Sequence, residues 1–309
     1  MALITGGAPL PDHLRGAIVA LGNFDGFHAG HQAVVGAARD WAHKLGRPAL
    51  VASFDPHPAR LFQPDAPPFG LSTIAQRAQW FHDFGLDGAV IMPFDRSLAA
   101  LSAEEFIDQW LVMRMGVAGV VTGADFTFGK GRSGSVADLS RLGLAYGFAA
   151  RVQDAVADSA GTISSTRIRG LLRDARPGMA AELLTRPFTI TGIVEHGAKL
   201  GRTLGFPTAN MRLGDYVRPA YGVYAVRVVL PSGQRIDGVA NLGIRPMIEP
   251  PEELLETWLM DWDGDLYGQE LAVELVAYLR PEMKLDGLEA LKAQIAADAE
   301  AARGLLKGA

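Results

Sequence analysis

One ten-residue run, Gly22-Asn23-Phe24-Asp25-Gly26-Phe27-His28-Ala29-Gly30-His31, constrains this chain more than any other stretch. An apolar segment, Ala17–Leu21, precedes it. Val34, Val35, Ala38 and Trp41 follow at helical spacing, so the order reads strand, tight turn, helix. A helix start offers unpaired backbone N–H groups and the positive end of a macrodipole, a natural phosphate site. His28 and His31 are three apart and share one face if both lie in the first turn. Two imidazoles there can bind the charge that builds as a phosphate is attacked, and Gly22, Gly26 and Gly30 let the backbone approach it. Two other readings stand beside this one: a tight turn with incidental histidines, and a metal pair. The second lacks a third Cys, His or carboxylate nearby at zinc-like spacing.

Short apolar runs alternate with amphipathic segments through the first half. Strands are expected at Ala17–Leu21, Ala49–Phe54, Gly88–Pro93, Ala118–Thr122 and Phe148–Gln153, and helices at Gly30–Lys44, Thr73–Phe84, Ala103–Met115 and Val136–Tyr146. Ser102 and Glu105 form a capping-box signature ahead of the third helix, whose apolar face pairs Phe106 with Trp110 and Ile107 with Leu111. Such alternation implies a Rossmann-like α/β domain, its parallel sheet covered on both faces. Ligands gather beyond the carboxyl ends of strands in such sheets. Besides the opening run, two unusual stretches follow predicted strands. Phe54-Asp55-Pro56-His57-Pro58 is a rigid proline turn or places His57 against a nucleotide. Gly123–Gly134 resembles a P-loop but has five residues between Gly123 and Gly129 and Gly131 after Lys130. It reads as a flexible flap carrying Lys130 and Arg132, its Phe126 and Phe128 able to wall a planar ring, with a plain surface loop as the alternative. Further on, Ile163-Ser164-Ser165-Thr166-Arg167-Ile168-Arg169 sets three hydroxyl donors before two guanidiniums, which suits a triphosphate as well as a helix cap.

At 309 residues the length favours two domains or one large one. A net charge of -5 argues against a general nucleic-acid or membrane-surface binder, while a local basic cluster suffices for a small anion. With no cysteine, disulfides, thiolate metal sites and a cysteine nucleophile are excluded. Residues 1–11 lack a basic leader pattern, and no apolar run approaches the ~18 residues of a membrane span, so a cytoplasmic protein is expected.

Arg173–Gly178 breaks the helical pattern, a short helix follows at Met179–Leu184, and the boundary is placed near Thr185, giving domains 1–185 and 186–309. Beyond it the period becomes two. In Tyr221–Leu230, Gly222, Tyr224, Val226, Val228 and Leu230 form one face, and Gln269–Leu279 alternates likewise. With Phe188–Val194, Gln234–Leu242 and Leu254–Asp261, these strands predict a small antiparallel β-barrel. A terminal helix is expected with Asp286 as its cap and Leu288, Leu291 and Ile295 as its packing stripe. The glycine-rich, basic stretch Glu195–Arg202 can close over phosphates. Thr208 and Asn210 fall on one side of an extended chain and offer hard oxygen of the kind magnesium accepts, although Thr-x-Asn is also a common turn.

The opening run resembles the signature of the nucleotidyltransferase superfamily. Together with Phe54–Pro58, Asp125–Gly134 and Ile163–Arg169 it is similar to the adenylylating module of the bacterial bifunctional riboflavin kinase/FAD synthetases. His196–Arg202 joined to Leu204–Asn210 resembles the riboflavin kinase hallmark, and the likeness covers about residues 15 to 306. It implies that the barrel phosphorylates riboflavin to FMN with ATP, and that the α/β domain adenylylates FMN to FAD with release of pyrophosphate. It implies His28, His31 and Glu256 as catalytic residues, Glu256 as the kinase base. The adenylylating module's ATP would meet Gly22, Phe24, Asp25, Gly30, His57, Asp125, Ser164, Ser165, Thr166, Arg167 and Arg169. The kinase's ATP and flavin would meet Gly197, Lys199, Gly201, Arg202, Gly205, Phe206, Pro207 and Arg245, with Mg2+ on Thr208 and Asn210. Asp125 stands where some relatives carry Asn, and Ile244 and Met247 where they carry small hydroxyl residues. The Asp261–Gly268 run reads as a turn with structural acids, Asp263 or Asp265 being possible flavin neighbours. A monomer or weak homo-oligomer with only small-molecule partners is expected. Alternatives are a flavin-storage protein and a nucleotidyltransferase on another substrate with an inactive barrel.

Overall fold

A computed structural model describes residues 1–196, 205–245 and 252–308, the side chain of Glu252 excepted. The contacts divide the chain into two units, Met1–Pro67 with Thr73–Ser164, and Pro68–Ser72 with Ser165–Ala309.

In the first unit, β1 (Ala2–Thr5), β2 (Ile18–Leu21), β3 (Ala49–Asp55), β4 (Gly88–Pro93), β5 (Gly119–Gly123) and β6 (Ala149–Gln153) form one sheet in the order β1-β4-β3-β2-β5-β6. Every neighbouring pair is parallel. Alternate residues of a strand point to opposite faces, and β2 supplies both cores. Val19 and Leu21 join Phe106, Ile107 and Leu111 on one side. Ile18 and Ala20 join Val34, Val35, Ala38 and Phe81 on the other. The helices are α1 (Ala29–Leu45), α2 (Pro58–Phe62), α3 (Ile74–Asp83), α4 (Arg96–Ala100), α5 (Ala103–Phe106) and α6 (Val136–Ala145). Successive connections leave β2 toward β3 on one side and reach β5 on the other, so the loop after β2 lies where strand order reverses.

The five expected strands and four expected helices are present within a few residues, but the short helices α2 and α4 were not anticipated and two further differences stand out. The edge strand β1 was not anticipated. The helix expected over Ala103–Met115 starts with the Ser102–Glu105 capping box, then widens to a π-helix over Ile107–Arg114, where Met115 N–H donates to the Trp110 carbonyl five residues back.

In the second unit, α7 (Ser165–Arg173) and α8 (Pro177–Leu184) precede β7 (Phe188–Ile193), β8 (Thr208–Arg212), β9 (Gly222–Val229), β10 (Arg235–Arg245), β11 (Glu252–Leu259) and β12 (Glu270–Arg280). They pair antiparallel in the order β8-β11-β10-β9-β12-β7. The two edges meet at a bridge just beyond β7, where Glu195 N–H donates to the Asn210 carbonyl at 2.9 Å. Strand β9 is buried on both faces rather than one, because Val223 and Ala225 pack under the final helix, α9 (Leu288–Leu306). That helix corrects two expectations. Gly287, at φ 91°, stands at its N-cap with no side-chain cap bond, so Asp286 does not cap it. Its packing stripe is Ala299, Ala302 and Leu306, while Leu288 is exposed, because the last turns rather than the first lie on the sheet.

Candidate functional site

The loop after β2 is built to hold a strained shape. Phe24 (φ 51°) and Phe27 (φ 39°) occupy the left-handed region, which costs a non-glycine residue about 1–2 kcal/mol. Aromatic packing holds them there. Phe24 meets Phe81 and His31 edge-on at 6.2 and 5.4 Å, and Phe27 meets Phe81 and Phe84 at 5.1 and 5.3 Å. Gly22 is required by close approach, since a Cβ there would sit 3.0 Å from the Phe24 ring. The loop delivers His28 to the N-cap of α1, where its Nδ1 accepts from His31 N–H at 3.3 Å. The two imidazoles stack with centroids 3.6 Å apart and planes 19° apart. A Cβ on Gly30 would lie 3.2 Å from the His28 ring and 3.3 Å from the Ile163 carbonyl. The structure therefore joins two stacked imidazoles to the start of a 17-residue helix, an arrangement suited to an anion. Asp25 is buried in the same loop.

Beneath the loop lies a residue that the sequence reading passed over. Arg77, on α3, is buried, and its Nη1 donates to the Asn23 carbonyl at 2.6 Å and to Ser53 Oγ at 2.9 Å. Ser53 Oγ in turn donates to the Asn23 carbonyl at 2.8 Å. Burial lowers the Arg77 pKa, against the opposing pull of Asp25 and Asp55. A signal was present: Ile74, Arg77, Ala78 and Phe81 fall on one helical stripe, and a cation on such a stripe asks for a partner.

His57 is the N-cap of α2, its Nδ1 accepting from Ala59 N–H at 3.1 Å. Phe62, at the end of that helix, is 68% exposed and meets Phe94 at 6.1 Å, while Phe94 meets buried Phe54 at 5.5 Å. This aromatic ladder, ending in solvent, was also unanticipated; exposure of one phenylalanine has no sequence signature. Asp125 is exposed on the loop after β5. That loop is closed on itself by backbone hydrogen bonds. Phe128 and Gly134 exchange backbone hydrogen bonds, and Lys130 N–H donates to the Leu101 carbonyl at 2.7 Å. Phe128 is buried in the core against Phe106, so only Phe126 of the two phenylalanines is partly open. Ser164 lies in the first unit, and Ser165, Thr166, Arg167 and Arg169 lie on α7 of the second. Arg169 Nε donates to the Phe69 carbonyl at 2.6 Å.

In the barrel, register rather than contiguity gathers the candidates. Thr208 and Asn210 share a face of β8, and Asn210 Nδ2 donates to the Thr208 carbonyl at 3.3 Å. Asn210 lies opposite Glu256 on β11, and Glu256 lies opposite Asn241 on β10. Arg245 forms an ion pair with Glu256, its Nε 2.8 Å from Oε1 and its Nη2 on the other oxygen. Burial lowers the Arg245 pKa, and nearby Glu282 opposes that shift. Asn241 Nδ2 donates to Glu282 Oε1 at 3.0 Å. Thr208 and Asn210 line a cavity of about 490 Å³ whose far wall is the Trp262–Tyr267 turn. Asp263 and Asp265 are thus cavity residues, the second also accepting from Tyr267 N–H at 3.1 Å. Pro207 lines the same cavity, Phe206 packs edge-on against Trp258 at 4.8 Å, and Gly205 adopts φ 87°. His196 lies over the Tyr267 ring at 3.9 Å. Gly197, Lys199, Gly201 and Arg202, like Met247, lie outside the described residues.

Comparison with known proteins covers both units. The family described as FAD synthetase matches residues 10–167, and the family described as riboflavin kinase matches residues 184–306. The chain is 41% identical over 296 residues to a Pseudomonas fluorescens protein named bifunctional riboflavin kinase/FMN adenylyltransferase, covering 96% of this chain and 94% of that one. A protein of the same name from Escherichia coli K12 is 39% identical, covering 96% and 95%. One from Bacillus subtilis is 34% identical, covering 93% and 91%. A crystal structure from Streptococcus pneumoniae described as a macrolide-efflux protein matches with TM-score 0.88 and 30% identity, over 98% of this chain and 99% of that one. Among the described residues no helix is long and apolar enough to cross a membrane.

Proposed function

Because the chain belongs to the family of bifunctional riboflavin kinase/FMN adenylyltransferases, it makes FMN from riboflavin and FAD from FMN, and we propose that the two reactions use separate sites. Adenylylation is assigned to residues 1–185 and phosphorylation to residues 186–309. The single observation that carries this reading is the pair of stacked imidazoles, His28 and His31, at the first turn of α1. A storage protein and a nucleotidyltransferase with an inactive barrel are not favoured, since both halves match families named for enzymes.

In the adenylylating reaction, a phosphate oxygen of FMN attacks the α-phosphorus of ATP and the bond to pyrophosphate breaks. His28 and His31 stabilise the charge that grows on the α-phosphate, where donors set in advance act most strongly. Gly22, Phe24, Asp25 and Gly30 shape the cradle, His57 and Asp125 flank the nucleotide, and Ser164, Ser165, Thr166, Arg167 and Arg169 supply triphosphate donors. Phe62 and its aromatic ladder offer a planar face on which a flavin ring can stack.

In the kinase reaction, the terminal ribityl hydroxyl of riboflavin attacks the γ-phosphorus of ATP and ADP leaves. Glu256 accepts the hydroxyl proton, and Arg245, its ion-pair partner, orients the carboxylate. Gly205, Phe206 and Pro207, with Gly197, Lys199, Gly201 and Arg202, enclose the nucleotide. The hydroxyl of Thr208 and the amide oxygen of Asn210 share a cavity with Asp263 and Asp265, a hard-oxygen donor set that fits Mg2+. Magnesium there would neutralise phosphate charge. Cytoplasmic location, small-molecule partners alone, and a monomer or weak homo-oligomer complete the proposal.

The test is to incubate the purified chain with riboflavin, ATP and magnesium and identify the flavins formed. FMN and FAD together support two working sites. FMN without FAD, in a chain that also makes no FAD from added FMN, removes the assignment to residues 1–185.

A further inference from the structure

We propose that Arg77 is a positioning residue for adenylyl transfer: it holds the Gly22–His31 loop in its anion-receiving shape through the Asn23 carbonyl. The inference rests on the loop being the adenylyl-transfer site, as argued above.

Three observations converge on it. The Asn23 carbonyl accepts from Arg77 Nη1 at 2.6 Å and from Ser53 Oγ at 2.8 Å, and Arg77 also donates to that hydroxyl at 2.9 Å. The loop is thereby tied to both α3 and β3 one residue before its first left-handed position, Phe24. Second, α3 has supports of its own besides this guanidinium. Its N-terminus is closed by a Thr73–Gln76 capping box, and its apolar stripe is carried by fully buried Phe81. A buried guanidinium carries a desolvation penalty that an apolar side chain of similar size avoids. Arg77 bears it with Nε and the neighbouring Asn23 Oδ1 both buried and without a hydrogen-bond partner among the described residues. Third, Arg77 and Phe81 are four apart and face the same loop. Phe81 grips the loop's two phenylalanines while Arg77 grips its backbone. The cation also lies close enough to Asp25 and Asp55 to feel their charge, so it offsets a buried carboxylate in a loop that must receive a triphosphate.

The experiment compares R77M, R77K and S53A in the full chain, following FAD formation from FMN and FMN formation from riboflavin separately. R77M is expected to raise the KM for ATP in FAD formation about 10-fold and lower kcat about 10-fold, while FMN formation stays within about 2-fold. R77K keeps the charge and a donor to Asn23, and should return kcat/KM to within about 5-fold of the parent. S53A should raise the KM for ATP about 3-fold. A merely structural role would lower kcat in proportion to the folded fraction, leave the ATP KM unchanged and reduce FMN formation alongside. That pattern overturns the inference. If R77M does not fold, S53A and R77K decide: an ATP KM at the parent value in both overturns it. Loss of FAD formation in a His28→Ala, His31→Ala variant keeps the underlying site assignment standing whichever way Arg77 falls. Retention of FAD formation there removes that assignment.

Discussion

The two halves of this chain present their candidate residues by different means. In the α/β half one stretch, the loop after β2 and the first turn of α1, carries Gly22, Phe24, Asp25, His28, Gly30 and His31 within ten residues, and parallel topology sets that loop at the reversal of strand order. In the barrel half the corresponding residues come from three strands. Asn210, Glu256 and Asn241 stand in one row only because β8, β11 and β10 pair in the register they do. A parallel sheet collects its loops at one end whatever the details of pairing. An antiparallel barrel builds a site by register, and a slip of one residue turns every candidate to the other face. The first design concentrates risk in a strained loop, and the second distributes it over the sheet.

The largest effect expected to sharpen this comparison comes from His28→Ala with His31→Ala. FAD formation from FMN should fall about 10³-fold, equivalent to about 4 kcal/mol of transition-state stabilisation. FMN formation should stay within about 2-fold of the parent, because the histidines belong to one unit alone. Equal loss of both products, in a chain with unchanged melting behaviour, breaks the separation of sites. Glu256→Gln is the converse and should lower FMN formation about 10²- to 10³-fold. FAD formation from supplied FMN is expected to be unaffected. A kinase rate near the parent's would remove Glu256 as the base. Next in size is Asn210→Ala, which removes one of the two hard oxygens on the β8 wall of the cavity. The magnesium concentration giving half-maximal FMN formation should rise about 10-fold, with no change for FAD formation. An unchanged magnesium titration would move the metal off Asn210.

These differences also explain what could be read before the structure was known. The loop after β2 was legible because its glycines, histidines and flanking periods lie side by side. Strands β2 to β5 were legible because buried parallel strands are short apolar runs between breakers. Strand β1 was not, since Ala2–Thr5 is four residues long, sits at the edge and alternates half-buried with exposed positions. Thr208 and Asn210 were legible as an extended pair, yet their junction with Glu256 was not. That junction depends on pairing between strands more than forty residues apart, and only the family resemblance pointed to it. Arg77 was missed because a single cation does not disturb the amphipathic pattern of α3. For Asp263 and Asp265 the sequence leaves two readings, structural turn acids or flavin neighbours, because a turn's residue types do not say whether it walls a cavity, as this one does. The terminal-helix stripe was misplaced because the apolar residues of its first turns are as regularly spaced as the buried ones of its last.

The smallest expected effect concerns acid stability, and it distinguishes the register-built half from the loop-built one. Glu253 lies three residues before Glu256, on β11. It accepts from Arg218 Nε at 2.6 Å and from the Tyr221 hydroxyl. Burial alone would raise the Glu253 pKa, but the hydrogen bonds from Tyr221 and Arg218 outweigh it and leave the pKa lowered. The same contact, together with burial, pushes the Tyr221 pKa up to about 12. A carboxylate with a lowered folded-state pKa adds stability that is fully present above its unfolded value of about 4.3 and is lost as pH falls through the folded value. In the α/β half, the lowered carboxylates Asp95, Glu105 and Asp138 accept hydrogen bonds at helix starts and are solvated there. Their acid sensitivity is therefore screened by water. Protection of β11 amides from hydrogen exchange should be lower in Glu253→Gln than in the parent at neutral pH, and the difference should shrink as pH falls below about 4.3, where the parent begins to lose the charge. Protection of α5 amides should follow one curve in both. A difference at β11 that stays constant from neutral pH down to pH ~3 would mean that Glu253 acts by packing rather than by charge. The strand carrying Glu256 would then owe nothing to the ion pair beside it.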